Sequence, residues 1–324
     1  MTDIEHPGTF HGLPVFTLPP PGEGGPDPAA LPRADSVAWR LDCTWEGPAF
    51  PEIWQYFLDT VDPGGVHALL IGPWWPDDYS SFAPVAELIA KDAGRFPALR
   101  ALFLADVTGE ECEVSWLEMS DVTGLIEAFP RLGELVVRGG GDPVPEEEKL
   151  QLRPLRHQAL RSLRFESGGL PGHVVRAVGA CELPALERLE LWFGAAWYGG
   201  DATVEDMRPV LSGAGFPRLR HLGLQNSEIQ DEIAAAVASA PVVAQLESLS
   251  LAMGTLSDTG ALALLEGQPL THLTSLDLHH HYLTDPVMSR IREMCAREGV
   301  HVDLDAADYW DPEDDEPRFV AVSE

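Results

Sequence analysis

One six-residue pattern, Leu-x-x-Leu-x-Leu, restricts the fold of this chain more than any other feature. It reads LRALFL (Leu99–Leu104), LGELVV (Leu132–Val137), LRSLRF (Leu160–Phe165) and LERLEL (Leu186–Leu191). It continues as LRHLGL (Leu219–Leu224), LESLSL (Leu246–Leu251) and LTSLDL (Leu273–Leu278), with a weaker early copy, VHALLI, at Val66–Ile71. Successive starts are 33, 33, 28, 26, 33, 27 and 27 residues apart. Side chains of an extended strand alternate between two faces. The Leu-x-Leu core therefore turns both leucines inward and the residue between them outward. One such strand cannot bury its apolar face alone, whereas stacked neighbours can.

Helical stretches fill the intervals. SEIQDEIAAAVASAP (Ser227–Pro241) carries Ile229, Ile233, Ala236 and Val237 at helical spacing, and SDTGALALLEGQP (Ser257–Pro269) behaves alike. TDPVMSRIREMCAREG (Thr284–Gly299) offers Thr284 as a cap, Pro286 in the first turn and Gly299 as a stop. Strand followed by helix, repeated, predicts an α/β fold: a leucine-rich-repeat solenoid, or horseshoe, with parallel strands on the concave face and helices on the convex face. Four of the steps fall in the window of about 20–29 residues that such repeats occupy.

The last three repeats resemble the helix-bearing leucine-rich repeats of the ribonuclease-inhibitor type. Nearly the whole chain also resembles an uncharacterised bacterial leucine-rich-repeat family, through FHGLPVF, LRFESGGLP, YGGDATV, NSEIQDEIAAAVA, LTSLDLHHHYL and VAVSE. The resemblance implies the fold and carries no established activity. Cysteines are few and a regular turn Asn is missing, which departs from the inhibitor pattern.

Three regions are expected. Residues 1–34 form a Pro/Gly-rich segment, 35–305 the repeat domain with capping ends, and 306–324 an acidic tail. SVAWRLDCTW (Ser36–Trp45) is the expected first strand, FPEIWQYFLDTV (Phe50–Val61) a capping helix, and GVHVDLD (Gly299–Asp305) the last strand. Phe319, Val320 and Val322 are expected to dock on the repeats. Longer intervals mark insertions at Asp106–Asp121, Gly139–Pro154 and Gly194–Ala202, which bring Trp116, Trp197 and Tyr198 as candidate exposed aromatics.

Charge sets the class of partner. The net charge is -31, with 52 acidic residues against 21 basic ones. Such a field repels phosphate backbones and anionic membranes, which argues against nucleic acid and membrane partners. It attracts basic protein surfaces. No stretch approaches the ~20 apolar residues of a membrane helix, and MTDIEHPGTF lacks the basic and apolar regions of a signal peptide. The four cysteines, Cys43, Cys112, Cys181 and Cys295, form no CxxC and read as reduced thiols. Glutamates around Cys112 make it a poor nucleophile. A cytoplasmic location follows as an expectation.

No catalytic motif stands out, and no cofactor is expected. The glycine stretches lack the P-loop lysine, and no GxSxG is present. The leading expectation is therefore a non-catalytic scaffold that binds another protein through its outward strand positions. These are Phe103, Glu134, Val136, Arg138, Arg164, Glu166, Arg188, Glu190, Trp192, His221, Gln225, Asp277 and His279. Arg138, Arg164, Glu166, Glu190, Trp192, Gln225, Asp277 and His279 are the candidate partner-binding set, with Trp192 as the aromatic anchor.

The run His279-His280-His281 raises a metal alternative. Strand residues two apart are about 6.6 Å apart and neighbouring strands about 4.8 Å, so Asp277, His279, His301 and Asp303 share one corner of the sheet. Carboxylate and imidazole suit zinc or another transition metal. Consecutive histidines are not metal spacing, however, and no HExxH occurs. By register His279 is outward, His280 begins the turn, and His281 takes the place where these repeats set an Asn that bonds neighbouring backbone.

Overall fold

A computed structural model describes residues 4–21, 31–77, 79–140, 149–307 and 317–323. The middle of the Pro/Gly-rich segment, the acidic core of the tail at 308–316 and part of the insertion after residue 140 lie outside the described residues. The described residues form an α/β structure on one sheet of 12 strands, ordered as in the sequence. The strands are β1 (Thr9–Phe10), β2 (Leu13–Thr17), β3 (Ala38–Leu41), β4 (Ala68–Ile71), β5 (Ala101–Leu104) and β6 (Glu134–Arg138). They continue as β7 (Ser162–Glu166), β8 (Arg188–Gly194), β9 (His221–Ser227), β10 (Ser248–Ser250), β11 (Ser275–Asp277) and β12 (His301–Asp303). Strands β1 and β2 are antiparallel; all pairs from β2 to β12 are parallel.

Helices lie between the strands: α1 (Phe50–Thr60), α2 (Ala83–Lys91), α3 (Thr123–Ala128) and α4 (Gly172–Ala180). They are followed by α5 (Val204–Ser212), α6 (Gln230–Val237), α7 (Asp258–Glu266) and α8 (Asp285–Glu298). None is long and apolar enough to cross a membrane.

The central leucines are the reason for the register. Phe16, Trp39, Leu69, Leu102, Leu135, Leu163, Leu189, Leu222, Leu249, Leu276 and Val302 pair strand to strand in one unbroken row. All but the terminal Phe16 and Val302 are buried in the main core. Each buried Leu contributes about 1.5–3 kcal/mol, and a slip of one residue would expose the whole row.

The C-terminal ends of the strands and the residues just past them repeat as well. Asn226, Met253 and His280, 27 residues apart, all adopt the left-handed conformation, as do Ala105 and Gly194. At Gly194 only glycine fits, because a Cβ would lie 1.9 Å from the Gly168 carbonyl oxygen. Helix starts interlock the repeats. Ser257 caps α7 and donates its hydroxyl to Asp231. Thr284 takes the N-cap place of α8, but its hydroxyl donates to Asp258, 2.7 Å away, rather than capping the helix.

The sheet begins earlier than the alternation at Ser36–Trp45 suggests. A hairpin turning at His11-Gly12, both with positive φ, builds β1 and β2, the backbone of a tight two-residue hairpin. At the other end, segment 317–323 runs along the turns. Tyr282 Oη donates to the Phe319 carbonyl and accepts from its N–H. Ala321 N–H donates to Met253 O, and the Asn226 amide exchanges two hydrogen bonds with Val322. Val320, Ala321 and Val322 are buried, whereas Phe319 is 65% exposed.

Candidate functional site

The sheet face away from the main core is divided. On β3–β6 its residues are small or apolar: Ala38, Ala68, Leu70, Ala101, Phe103 and Val136. The first hairpin folds over them, placing Phe10 5.9 Å from Phe103 between ring centroids. Leu13 and Val15 pack on the same cluster. His6 seals the margin, with Nδ1 3.1 Å from Asp106 Oδ1 and Nε2 3.3 Å from Glu111.

From that covered patch a polar ladder crosses the rest of the face. Arg40 donates to Asp42 and, from Nε, to Asp106 at 2.9 Å. Arg138 lies 3.8 Å from Asp106 and donates from Nε to Glu166 at 2.7 Å, with its guanidinium over the Phe103 ring. Arg164 Nε stands 2.9 Å from Glu166, and its NH1 3.6 Å from Glu190. Glu190 also meets Arg188 and His221, the latter at 2.9 Å. Burial opposes the Glu190 charge, but His221, Arg164 and Arg188 together hold its carboxyl at about 2.

A second chain runs on toward β12. Trp192 Nε1–H donates to Gln225 Oε1 at 2.9 Å, and Gln225 Nε2 to Ser250 Oγ at 2.6 Å. Ser250 Oγ–H donates to Asp277 at 2.8 Å. The other Asp277 oxygen meets His279 Nδ1 at 2.8 Å and the His279 N–H at 3.1 Å. The hydrogen bond to Asp277 raises the His279 pKa, with Asp303 and Asp305 adding to it against partial burial. Burial pushes Asp277 up, and its bonds from His279 and Ser250 bring it below the usual carboxylate value.

All eight residues of the partner-binding set lie on this face, in two environments. Arg164, Trp192, Asp277 and His279 are half-buried, whereas Arg138, Glu166, Glu190 and Gln225 are buried. The buried four are therefore supports of the surface rather than its contact points. Their burial follows from their pairing, since a charge tolerates a low-dielectric site only with a partner. Arg40, Asp106, His221 and Ser250 are further members of the ladder. Arg40 sits in AWRL between the buried Trp39 and Leu41, so period two places it outward.

Of the four metal candidates, Asp277, His279 and Asp303 bring ligand atoms within 4.8 Å of one another. His301 pairs with Ser275, one row away from Asp277 and Asp303, and is outside that group. His281 is fully buried; its Nε2 lies 3.1 Å from Leu304 O, and its Nδ1 accepts from Leu283 N–H at 3.1 Å. These bonds are those of a structural side chain. His280 reaches Phe319 O at 3.1 Å.

Elsewhere, Trp116 and Trp197 are exposed, the latter by 86%, while Tyr198 is half-buried. The four cysteines are free and buried. Burial, with Asp42, pushes the Cys43 thiol up to about 12; burial chiefly pushes Cys112 to about 11. Neither is thiolate at neutral pH.

No family model matches the chain. No curated protein matches it either. Among solved structures it is similar to a Bacteroides fragilis protein determined by a structural genomics consortium. The TM-score is 0.71 at 24% identity, over 88% of this chain and 78% of that one. That likeness is one of fold.

Proposed function

We propose that the chain is a leucine-rich-repeat solenoid whose strands line a concave face, and that the uncovered part of that face docks another protein without catalysis. The observation that carries the reading is the chain Trp192–Gln225–Ser250–Asp277–His279, in which each group is held by the next. A large aromatic held in place by a hydrogen bond and partly exposed, on a face that also carries paired charges, is the arrangement of an interface anchor. The net charge of -31 favours a partner with a basic surface. The buried thiols accord with a cytoplasmic setting.

A photo-crosslinking residue at position 192 or 279, introduced in the native cell, tests this. An adduct with a basic protein is expected from these positions and not from position 293 on the exposed side of α8. The purified pair is expected to associate more slowly as salt rises. Adducts from position 293 alone, or an on-rate indifferent to salt, refute the reading.

A second reading, a metal-dependent protein, rests on the convergence of Asp277, His279 and Asp303. It ranks second because the raised His279 pKa makes a metal compete with a proton. Stoichiometric zinc or manganese on purified protein, lost in His279→Ala, supports it.

A further inference from the structure

The strands also have an edge at their N-terminal ends, and one stretch of it gathers arginines in a chain that is otherwise acidic. Here the leading leucine of each repeat is buried, so the residues on either side of it are displayed. In FPALR this displays Arg100, in FPRLG Arg131, in QALR Arg161 and in FPRLR Arg218. These four arginines line one cleft of about 570 Å³. Its floor is small: Gly133 stands where its neighbours carry Arg100 and Arg161, with Ala159 beside it. A Cβ at Gly133 would meet nothing nearer than the Arg100 carbonyl at 3.5 Å, so the notch beside it is open.

Among the described residues no carboxylate lines the cleft, although acids outnumber bases 52 to 21 in the chain. The arginines are only partly neutralised. Arg161 pairs with Glu187, and Arg100 donates to the backbone carbonyls of Pro97 and Leu99. Arg131 and Arg218 make no ion pair among the described residues. His11, at the mouth, faces Glu134 at 2.8 Å. Guanidinium forks match the paired oxygens of phosphate and carboxylate. A cleft of this volume is the size of a small-ligand site. By register Arg100 and Arg161 flank Gly133, two strand spacings of about 4.8 Å apart at the backbone, with Arg131 two residues ahead of that row, which suits a ligand with more than one anionic group.

We propose that this cleft binds a small multivalent oxyanion, independently of the protein-docking face. The full chain is titrated calorimetrically at low ionic strength with tripolyphosphate and, separately, with citrate; the better-bound probe tells phosphate from carboxylate. Saturable one-to-one binding to one of them is expected. Arg131→Ala and Arg218→Ala, both exposed side chains, are each expected to weaken it about tenfold or more. Gly133→Gln, which fills the notch and keeps every arginine, is expected to weaken it likewise. Arg208→Ala, an exposed arginine on α5, is expected to change nothing. The proposal fails if neither probe saturates, if Arg208→Ala weakens binding as much as Arg131→Ala, or if only polyglutamate binds, which would make the edge a surface for acidic chains.

Discussion

His281→Ala is the sharpest probe of the repeat register, and its cost is readable from the site. The ring is fully buried and spends both nitrogens on backbone: Nδ1 accepts from Leu283 N–H, so Nε2 carries the proton it donates to Leu304 O. Alanine strands one donor and one acceptor, at about 1–3 kcal/mol each, and leaves a cavity, so a loss of about 3–5 kcal/mol is expected. His281→Asn keeps a donor and an acceptor on one short amide and should lose about 1 kcal/mol. His279→Ala removes a partly exposed ring and leaves Asp277 bonded to Ser250, so it should stay within about 0.5 kcal/mol. Burial, ahead of the backbone bonds that oppose it, lowers the His281 pKa. The folded state therefore resists the proton more than the unfolded state does. This contribution is complete above the ordinary value of 6.5 and is lost as pH falls below it. His279, with its raised pKa, has the opposite sign: its contribution is complete below 6.5 and fades as pH rises through the folded value. Urea unfolding of the parent and the three variants at pH 7 and pH 5 separates these effects. If His281→Ala shifts the midpoint no more than His279→Ala, or His281→Asn loses as much stability as His281→Ala, the structural assignment of this ring is refuted.

Other consequences follow from the core and the ladder. Leu249→Ala opens a cavity in the middle of the leucine row and should cost about 2–5 kcal/mol in urea unfolding; an unchanged midpoint would mean the register is misread. Arg138→Ala leaves Glu166 buried without its nearest donor and should cost about 3–5 kcal/mol, more than Arg164→Ala, whose side chain is partly exposed. The Glu190 carboxyl, held at about 2, lends stability above its ordinary value of 4.5 that is lost as pH falls toward 2. That loss amounts to about 3 kcal/mol, and Glu190→Gln should unfold with less dependence on pH in this range.

How far the sequence carries such arguments depends on the range of the interaction. Leu222, Leu249 and Leu276 declare their face by alternation alone, because strand geometry is local. The same alternation assigns Arg138, Glu166, Glu190 and Gln225 to the outer face, but it is silent on their burial, which is set by groups on neighbouring strands. Arg138 is enclosed by Phe103, Asp106 and Glu166, and Arg40 by a His6 that arrives from 34 residues away. The fold-back of the first hairpin had a signal in Phe10-His11-Gly12-Leu13, a turn between apolar residues. Its landing on Phe103 had none. At His281 the reading succeeds because an Asn-like role needs only one donor and one acceptor in the right turn. The arginine cleft went unread because its residues are dispersed over more than a hundred positions and meet only through the repeat spacing.

Segment 317–323 changes what kind of object the sheet is when it is disturbed. Strands joined only to their neighbours lose order from the ends, one unit at a time. Here Val322 is tied to Asn226, 96 residues earlier, and the Asn226 amide also reaches the Ser167 carbonyl at 3.4 Å. Phe319 is tied to Tyr282, and Ala321 to Met253. A single extended stretch thus bridges the turns of three strands, β9, β10 and β11, and reaches β7 through Asn226. Fraying of β12 or α8 leaves this tie in place, whereas its release loosens several units together. The last third of the chain is therefore built to hold or yield as one block.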